Sequence, residues 1–315
     1  MSFAMPRPRA LVAGWFSFEE VLATVGDLLG AEVTVGQLQD AGWTCDLALA
    51  PYMGRSADSN CVDWRAVDPS GYDLVVFTTG PLFDYPLLHA LLNRFAGRER
   101  WAVNVSVIDE SLRSRFDRVV ARDAENSTRA DLAWTAGGAT VPVVGTAFAP
   151  PQDEYGPGRH EQVRAAVTDW LHRRQLAAVP LDMDMYAEHR YPRTAAQVTS
   201  LIARCDVVVS MRLHAAVLAL RAGRPVIAVD AVPGGGKVSR QMRLVDWPNL
   251  IAAGDCTPAN LDRALRWSRS AAAADRLRIS RDRARADVAS TTDELRTAAR
   301  RLQQTASARS RERAS

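Results

Sequence analysis

Residues 205–230, CDVVVSMRLHAAVLALRAGRPVIAVD, constrain the chain most, because they spell out one complete strand–helix–strand unit. Val207, Val208 and Val209 form a short β-branched run, the pattern of a strand buried on both faces. Leu213, Val217 and Leu220 then recur at helical spacing, with Ala215, Ala216 and Ala219 favouring helix between them. Gly223 suits the left-handed position that closes a helix, and Pro225 bars its continuation. Residues 226–229 read as a second buried strand. This unit sets Ser210, Arg212 and His214 between the carboxyl end of a strand and the first turn of a helix. Ligands of open α/β sheets bind at that edge. An arginine, a histidine and free backbone N–H groups suit an anion there. An ordinary surface turn, with Arg212 in a salt bridge, satisfies the same spacing.

Beyond the second strand lie Asp230 and then Pro233, Gly234, Gly235, Gly236 and Lys237. Such a glycine run can turn backbone N–H groups toward a phosphate or carboxylate, with the lysine adding charge. It is not a Walker A loop, since the glycine spacing differs and no Ser or Thr follows the lysine. Two anion-competent loops at one sheet edge carry more weight than either alone.

The run Ser210-Met211-Arg212-Leu213-His214, with the alanine-rich helix, Gly223-Arg224-Pro225 and the strand that follows, resembles the polysaccharide pyruvyl transferase family. That family shows S-x-R-x-H, then G-x-P, a strand and a downstream lysine, whose place Lys237 takes. More loosely, Gly14-Trp15-Phe16 and Thr24-Val25-Gly26-Asp27 resemble its glycine–aromatic turn and N-x-G-D. Residues 72–81, 101–109 and 119–123 resemble its next strands, the last ending in an R-D pair. Two departures stand out. Thr24-Val25 replaces the expected Asn, and the glycine triplet is reduced to Thr78-Thr79-Gly80-Pro81.

The resemblance implies an α/β fold of two Rossmann-like parallel-sheet domains facing a cleft, the glycosyltransferase-B-like arrangement. It implies phosphoenolpyruvate as donor and a hydroxyl-bearing sugar, glycan or related metabolite as acceptor. Such a donor carries a carboxylate and a phosphate, so its site needs cations and oriented N–H groups. Arg212 and Lys237 answer that need, with Ser210, Gly235 and Gly236 beside them and Arg122 as a second cation. Arg122 and Asp123 read equally well as a surface ion pair. His214 suits the proton donor, because imidazole titrates near neutral pH, and it is expected to gain a proton as the donor binds. Asp230, at a strand end, suits a carboxylate that orients a hydroxyl. On the acceptor side, Trp15 and Phe16 suit a sugar ring, although burial is the commoner fate of such aromatics. Asp27 is either an acceptor-side base or a charge complementing a helix N-terminus. His189, Arg190 and Arg193 are cleft residues or loop charges, and His89, His160 and His172 receive no role. A nucleotide-sugar glycosyltransferase on the same fold, and a non-catalytic anion-binding or partner protein, are the alternatives.

At 315 residues the chain has room for two α/β domains, each with its own core. A net charge of +3 is too small to argue for nucleic acid. No apolar run approaches the roughly 20 residues of a membrane span, and the N-terminus shows no signal peptide. Cys45, Cys61, Cys205 and Cys256 are scattered without C-x-x-C or clustered histidines, so no metal and no resident cofactor is expected. Dispersed cysteines suit a reducing cytoplasm. The alanine- and arginine-rich composition suggests GC-rich coding of the actinobacterial kind.

Strand and helix patterns alternate through the N-terminal half, which implies a mostly parallel sheet. The Pro- and Gly-rich residues 149–158 mark a boundary. The expected organisation is a first domain over 1–150 on the acceptor side and a donor domain over 151–285. A C-terminal helix with a frayed basic tail then covers 286–315. Self-association is left open.

Overall fold

The computed structural model describes residues 7–51, 53, 60–138, 140–151, 154, 156–185, 192 and 194–314. Two compact units divide the chain, residues 1–139 and 140–315. Both are built on parallel strands alternating with helices, the α/β architecture anticipated from the sequence.

In the first unit, β1 (Arg9–Ala13), β2 (Thr44–Ala48), β3 (Cys61–Val62), β4 (Leu74–Thr78), β5 (Pro81–Leu82), β6 (Glu99–Val107), β7 (Arg118–Ala124) and β8 (Ser127–Thr128) share one sheet. Their order is β3-β2-β1-β4-β6-β7-β8, with β5 paired to β6. All pairs are parallel except the closing hairpin of β7 and β8. The order reverses at β1 and β4, the doubly wound pattern. Every residue of β4 is buried, as LVVFT predicts for a central strand. Helix α1 (Val25–Asp40) follows β1, and α2 (Pro86–Arg94) opens on a proline whose missing N–H costs nothing at that position.

Trp15 and Phe16, expected to face an acceptor, belong to the core. Their exposures are 3% and 0%. The Trp15 indole N–H donates to the carbonyl of Pro81 at 2.9 Å, and its ring stacks on Phe83 at 4.9 Å. Burial of so large an apolar area outweighs any gain from presenting these rings to a sugar. Gly80 makes the arrangement possible. Its φ of 72° is left-handed, and a Cβ there would lie 2.3 Å from the Trp15 ring. Gly80→Ala is expected to destabilise the protein by about 2–4 kcal/mol through clash and backbone strain. Urea unfolding compared with wild type checks this.

The second unit has β9 (Val143–Ala147), β10 (Ala177–Pro180), β11 (Val207–Ser210), β12 (Val226–Asp230) and β13 (Leu250–Ala252). They lie in the order β10-β9-β11-β12-β13, all parallel. Its helices are α3 (His160–Arg173), α4 (Ala195–Ile202), α5 (Leu213–Arg221), α6 (Lys237–Leu244), α7 (Pro258–Ser268) and α8 (Ala271–Ala314). Successive strand residues serve opposite cores. Val208, Val226 and Ala228 pack with Ala216 and Met242 on one face, while Val207, Val209, Ile227 and Val229 pack with Val163 and Trp170 on the other. Helices therefore cover both faces, which is why these strands read as unbroken apolar runs.

Three features depart from the sequence reading. The strand β9 precedes the expected boundary at 149–158, so that stretch lies within the second unit. Gly145 and Thr146 had diluted its strand signal, yet Gly145 is there because a Cβ would meet Leu181 and Cys205 at under 3 Å. Lys237 begins a helix rather than ending a loop. Finally, α8 continues to Ala314 where a frayed tail was expected, consistent with alanine- and arginine-rich composition and no Gly or Pro within it.

Candidate functional site

The strand order of the second sheet reverses between β9 and β11, and Arg212 stands at the carboxyl end of that gap. Ser210, fully buried, prepares the exit. Its hydroxyl accepts the Arg212 N–H at 3.0 Å and donates to the Arg212 carbonyl at 2.7 Å. This turn holds Arg212 extended (φ −102°, ψ 129°) as the residue before α5. It also commits the Ser210 hydroxyl to the backbone, so Ser210 shapes the site without reaching a ligand.

The guanidinium of Arg212 crosses the gap. Its Nε donates to the carbonyl of Phe148, just past β9, at 2.7 Å. Nη1 and Nη2 donate to the two carboxylate oxygens of Asp184 at 2.8 and 2.5 Å. Asp184 belongs to the segment that follows β10, so one side chain ties three strand exits together. The pair remains reachable, with side-chain exposures of 20% for Arg212 and 34% for Asp184. A guanidinium has further N–H groups to offer beyond these three bonds.

His214 lies in the first turn of α5, exposed, and makes no hydrogen bond among the described residues. It is the most accessible of the expected site residues on this edge. Lys237, half-exposed, opens α6 on the next strand exit.

The glycine run between them differs from expectation. Asp230 is 3% exposed and accepts N–H groups from Val232 (3.1 Å), Gly236 (2.7 Å) and Ser239 (2.8 Å). Burial alone would push its carboxyl up. The Ser239 hydroxyl and the three backbone N–H groups more than offset this and hold it below the ordinary carboxylate range. The Gly235 N–H meanwhile donates to Val232. Gly235 and Gly236 thus spend their donors inside the loop and do not cradle a phosphate. Asp230 anchors that loop and the start of α6, in place of orienting a hydroxyl.

Arg122, expected to be a second donor-binding cation, sits in a local network within the first unit. Its guanidinium bonds Asp123 at 2.9 Å, Asp131 at 2.7 Å and the Ser106 hydroxyl. The bond to Asp131, then that to Asp123, raises its already high pKa. The ion-pair reading of Arg122 is the one its geometry fits. Asp27 likewise accepts the Thr24 N–H at 2.7 Å and the Thr24 hydroxyl at 2.9 Å, closing the N-terminus of α1. His189, Arg190 and Arg193 lie outside the described residues.

Sequence reasoning missed Asp184 and the Phe148 carbonyl. The closely spaced acids Asp182 and Asp184 in residues 181–185, LDMDM, were the available signal. It also passed over His160, which opens α3 buried, with its Nδ1 lacking a hydrogen bond among the described residues. Three of the thiols are poor nucleophiles. Burial pushes Cys256 up to about 11 and raises Cys45 and Cys205, so thiolate is scarce at neutral pH. Among the described residues no cluster of three His, Cys, Asp or Glu side chains is arranged to hold a metal, and no helix is long and apolar enough to cross a membrane.

Residues 166–231 match the family model for polysaccharide pyruvyl transferase. The matched stretch runs from within α3 to just past β12, enclosing the Ser210–His214 run and ending before Gly234. A comparison with curated proteins gives no match. Among solved structures, the glycotransferase of kitacinnamycin is 12% identical, with 90% of this chain and 96% of that one covered at a TM-score of 0.32. The E. coli heptosyltransferase WaaC, with ADP-2-deoxy-2-fluoro heptose, is 14% identical over 82% of this chain and 99% of that one, at 0.27. The spinosyn forosaminyltransferase SpnP is 14% identical over 87% and 94%, at 0.29. The α/β assignment rests on the two mainly parallel sheets themselves.

Proposed function

We propose that this chain is a pyruvyl transferase-like enzyme that moves a pyruvyl or enolpyruvyl group from phosphoenolpyruvate to a hydroxyl of a sugar, glycan or related metabolite. One observation carries the reading. Arg212 and His214 stand together at the switch point of the second sheet, inside the stretch that matches the family.

The chemistry follows from the donor. Arg212 takes the carboxylate or phosphate in a charge-assisted grip, the donor displacing Asp184 from the Nη1–Nη2 fork. His214, protonated beside that anion, delivers its proton to the terminal carbon of the enol. The central carbon becomes electrophilic, and the acceptor hydroxyl adds to it as its proton passes to a base. The C–O bond to phosphate then breaks, and in this reading Lys237, on the next strand exit, is the cation left to balance the departing charge. A second hydroxyl closes a ketal, or proton loss from the new methyl group restores an enol ether. The second unit is the donor side. The first unit remains the acceptor side in this reading, but Trp15, Phe16 and Asp27 are committed elsewhere and acceptor contacts fall to other residues. No resident cofactor is needed, and the free cysteines accord with a cytoplasmic enzyme.

Asp184 complicates the grip. A donor carboxylate competes with it for the same guanidinium face, and the two anions repel. Phe148 still fixes Nε when Asp184 is neutral, so Asp184→Asn is expected to bind phosphoenolpyruvate about tenfold more tightly. Weaker binding in that variant would show that Asp184 positions Arg212 instead.

The activity itself is tested by incubating the protein with phosphoenolpyruvate and a panel of sugars. Phosphate release and a new ketal methyl or enol ether signal by NMR are expected together. Turnover of a nucleotide sugar, with phosphoenolpyruvate untouched, would replace this reading with the glycosyltransferase alternative.

A further inference from the structure

The second half of α8 has no counterpart in the proposed chemistry. Its first half packs on α5 and α7 through Ala273, Leu277, Ser280 and Ala284. Beyond Ala284 the helix runs on to Ala314, and from residue 285 to 307 every described side chain but Thr292 is exposed. Long polar helices draw most of their stability from packing, so an exposed stretch of this length asks what covers it.

The answer lies in its spacing. Val288, Leu295 and Leu302 recur every seven residues and are 58%, 68% and 72% exposed. Thr291, Ala298 and Thr305 follow each of them by three. This is a heptad seam in which one row is large and the other small. We propose that α8 pairs head to tail with α8 of a second copy of this chain.

The seam is complementary to itself in that direction only. Antiparallel pairing sets Leu295 against Ala298 of the second copy, Leu302 against Thr291 and Val288 against Thr305. Every layer then joins one large and one small side chain, the arrangement that fills space between helices. Glu294 falls beside Arg301 of the second copy, and symmetry repeats the pair. Parallel pairing instead stacks Leu on Leu and Thr on Thr, leaving alternate layers underfilled, and puts Ala299 opposite Glu294. The base of the seam also fits. An apolar groove of about 540 Å³, lined in part by Val217, Leu220, Met242 and Val288, opens where α8 leaves the body. The second copy's Leu302 region reaches that groove only in the antiparallel arrangement.

Sedimentation equilibrium over a dilution series tests the pairing on the full chain. Wild type is expected to dissociate from dimer to monomer on dilution. Leu295→Asp, at an exposed position that spares the monomer fold, should weaken the dimer more than a hundredfold. Glu294→Arg should weaken it roughly tenfold by opposing Arg301, and Glu294→Arg with Arg301→Glu should restore it. A wild type that stays monomeric at every concentration overturns the proposal. So does a dimer indifferent to Leu295→Asp. A dimer that Leu295→Asp abolishes but Glu294→Arg leaves unchanged overturns the antiparallel register.

Discussion

Replacement of Asp230 by alanine is expected to destabilise the second unit by about 3–5 kcal/mol at neutral pH. Its carboxylate accepts the N–H groups of Val232, Gly236 and Ser239 from a position 3% exposed. Removing it strands buried donors that no neighbour replaces, and it uncaps α6. The effect carries a pH signature. A carboxyl held below its ordinary range contributes stability that is present above about pH 4 and is lost as pH falls through its folded value. Alanine has no such dependence, so the gap between the two proteins should narrow on acidification. Urea unfolding at pH 7 and near pH 3.5 measures both. A gap under about 1 kcal/mol at pH 7 would mean the loop holds itself without the carboxylate.

Arg212→Ala is expected to cost at least about a hundredfold in phosphoenolpyruvate affinity. A forked grip supplies two charge-assisted hydrogen bonds, each about 1.5–3 kcal/mol, and tenfold in affinity is about 1.4 kcal/mol. The loss should exceed that sum's lower bound, because Asp184 is left unpaired and faces the donor as a bare negative charge. Arg212→Lys should recover part of the affinity, since charge survives but the planar fork does not. The folded state should tolerate either change, as the Arg212–Asp184 pair is part-exposed. Equal affinity in wild type and Arg212→Ala would place the donor away from this residue.

Much of the fold was legible because apolar runs speak plainly in a parallel sheet. The VVV and VIAVD strands and the Leu213–Arg221 helix fall where residues 205–230 placed them. The runs that escaped notice are those with competing demands. Strand β9 carries a glycine for close packing, β13 is only three residues long, and α6 begins beneath a glycine run that reads as loop.

Site residues were less legible, for a different physical reason. Sequence shows which groups stand at a strand exit but not which of them already have partners. Arg212 and His214 arrive at the edge as expected. Asp230 and Arg122 arrive with hydrogen-bond capacity consumed by neighbours distant in sequence or separated by turns. Trp15 was drawn inward by an aromatic cluster that includes Phe18, Phe77, Phe83 and Tyr85, and Phe16 by a separate core with Ala10, Val12 and Ala31. The pairing of Arg212 with Asp184 spans 28 residues and depends on the order β10-β9-β11. Only the assembled sheet brings those two side chains together.

The central claim is that an anionic three-carbon donor binds at the exit of β11. Calorimetric titration of phosphoenolpyruvate into wild type and Arg212→Ala, side by side, tests it most directly. The account predicts saturable binding by wild type that the variant loses. Absence of binding to wild type with and without candidate acceptor sugars, or binding that survives Arg212→Ala, would contradict it.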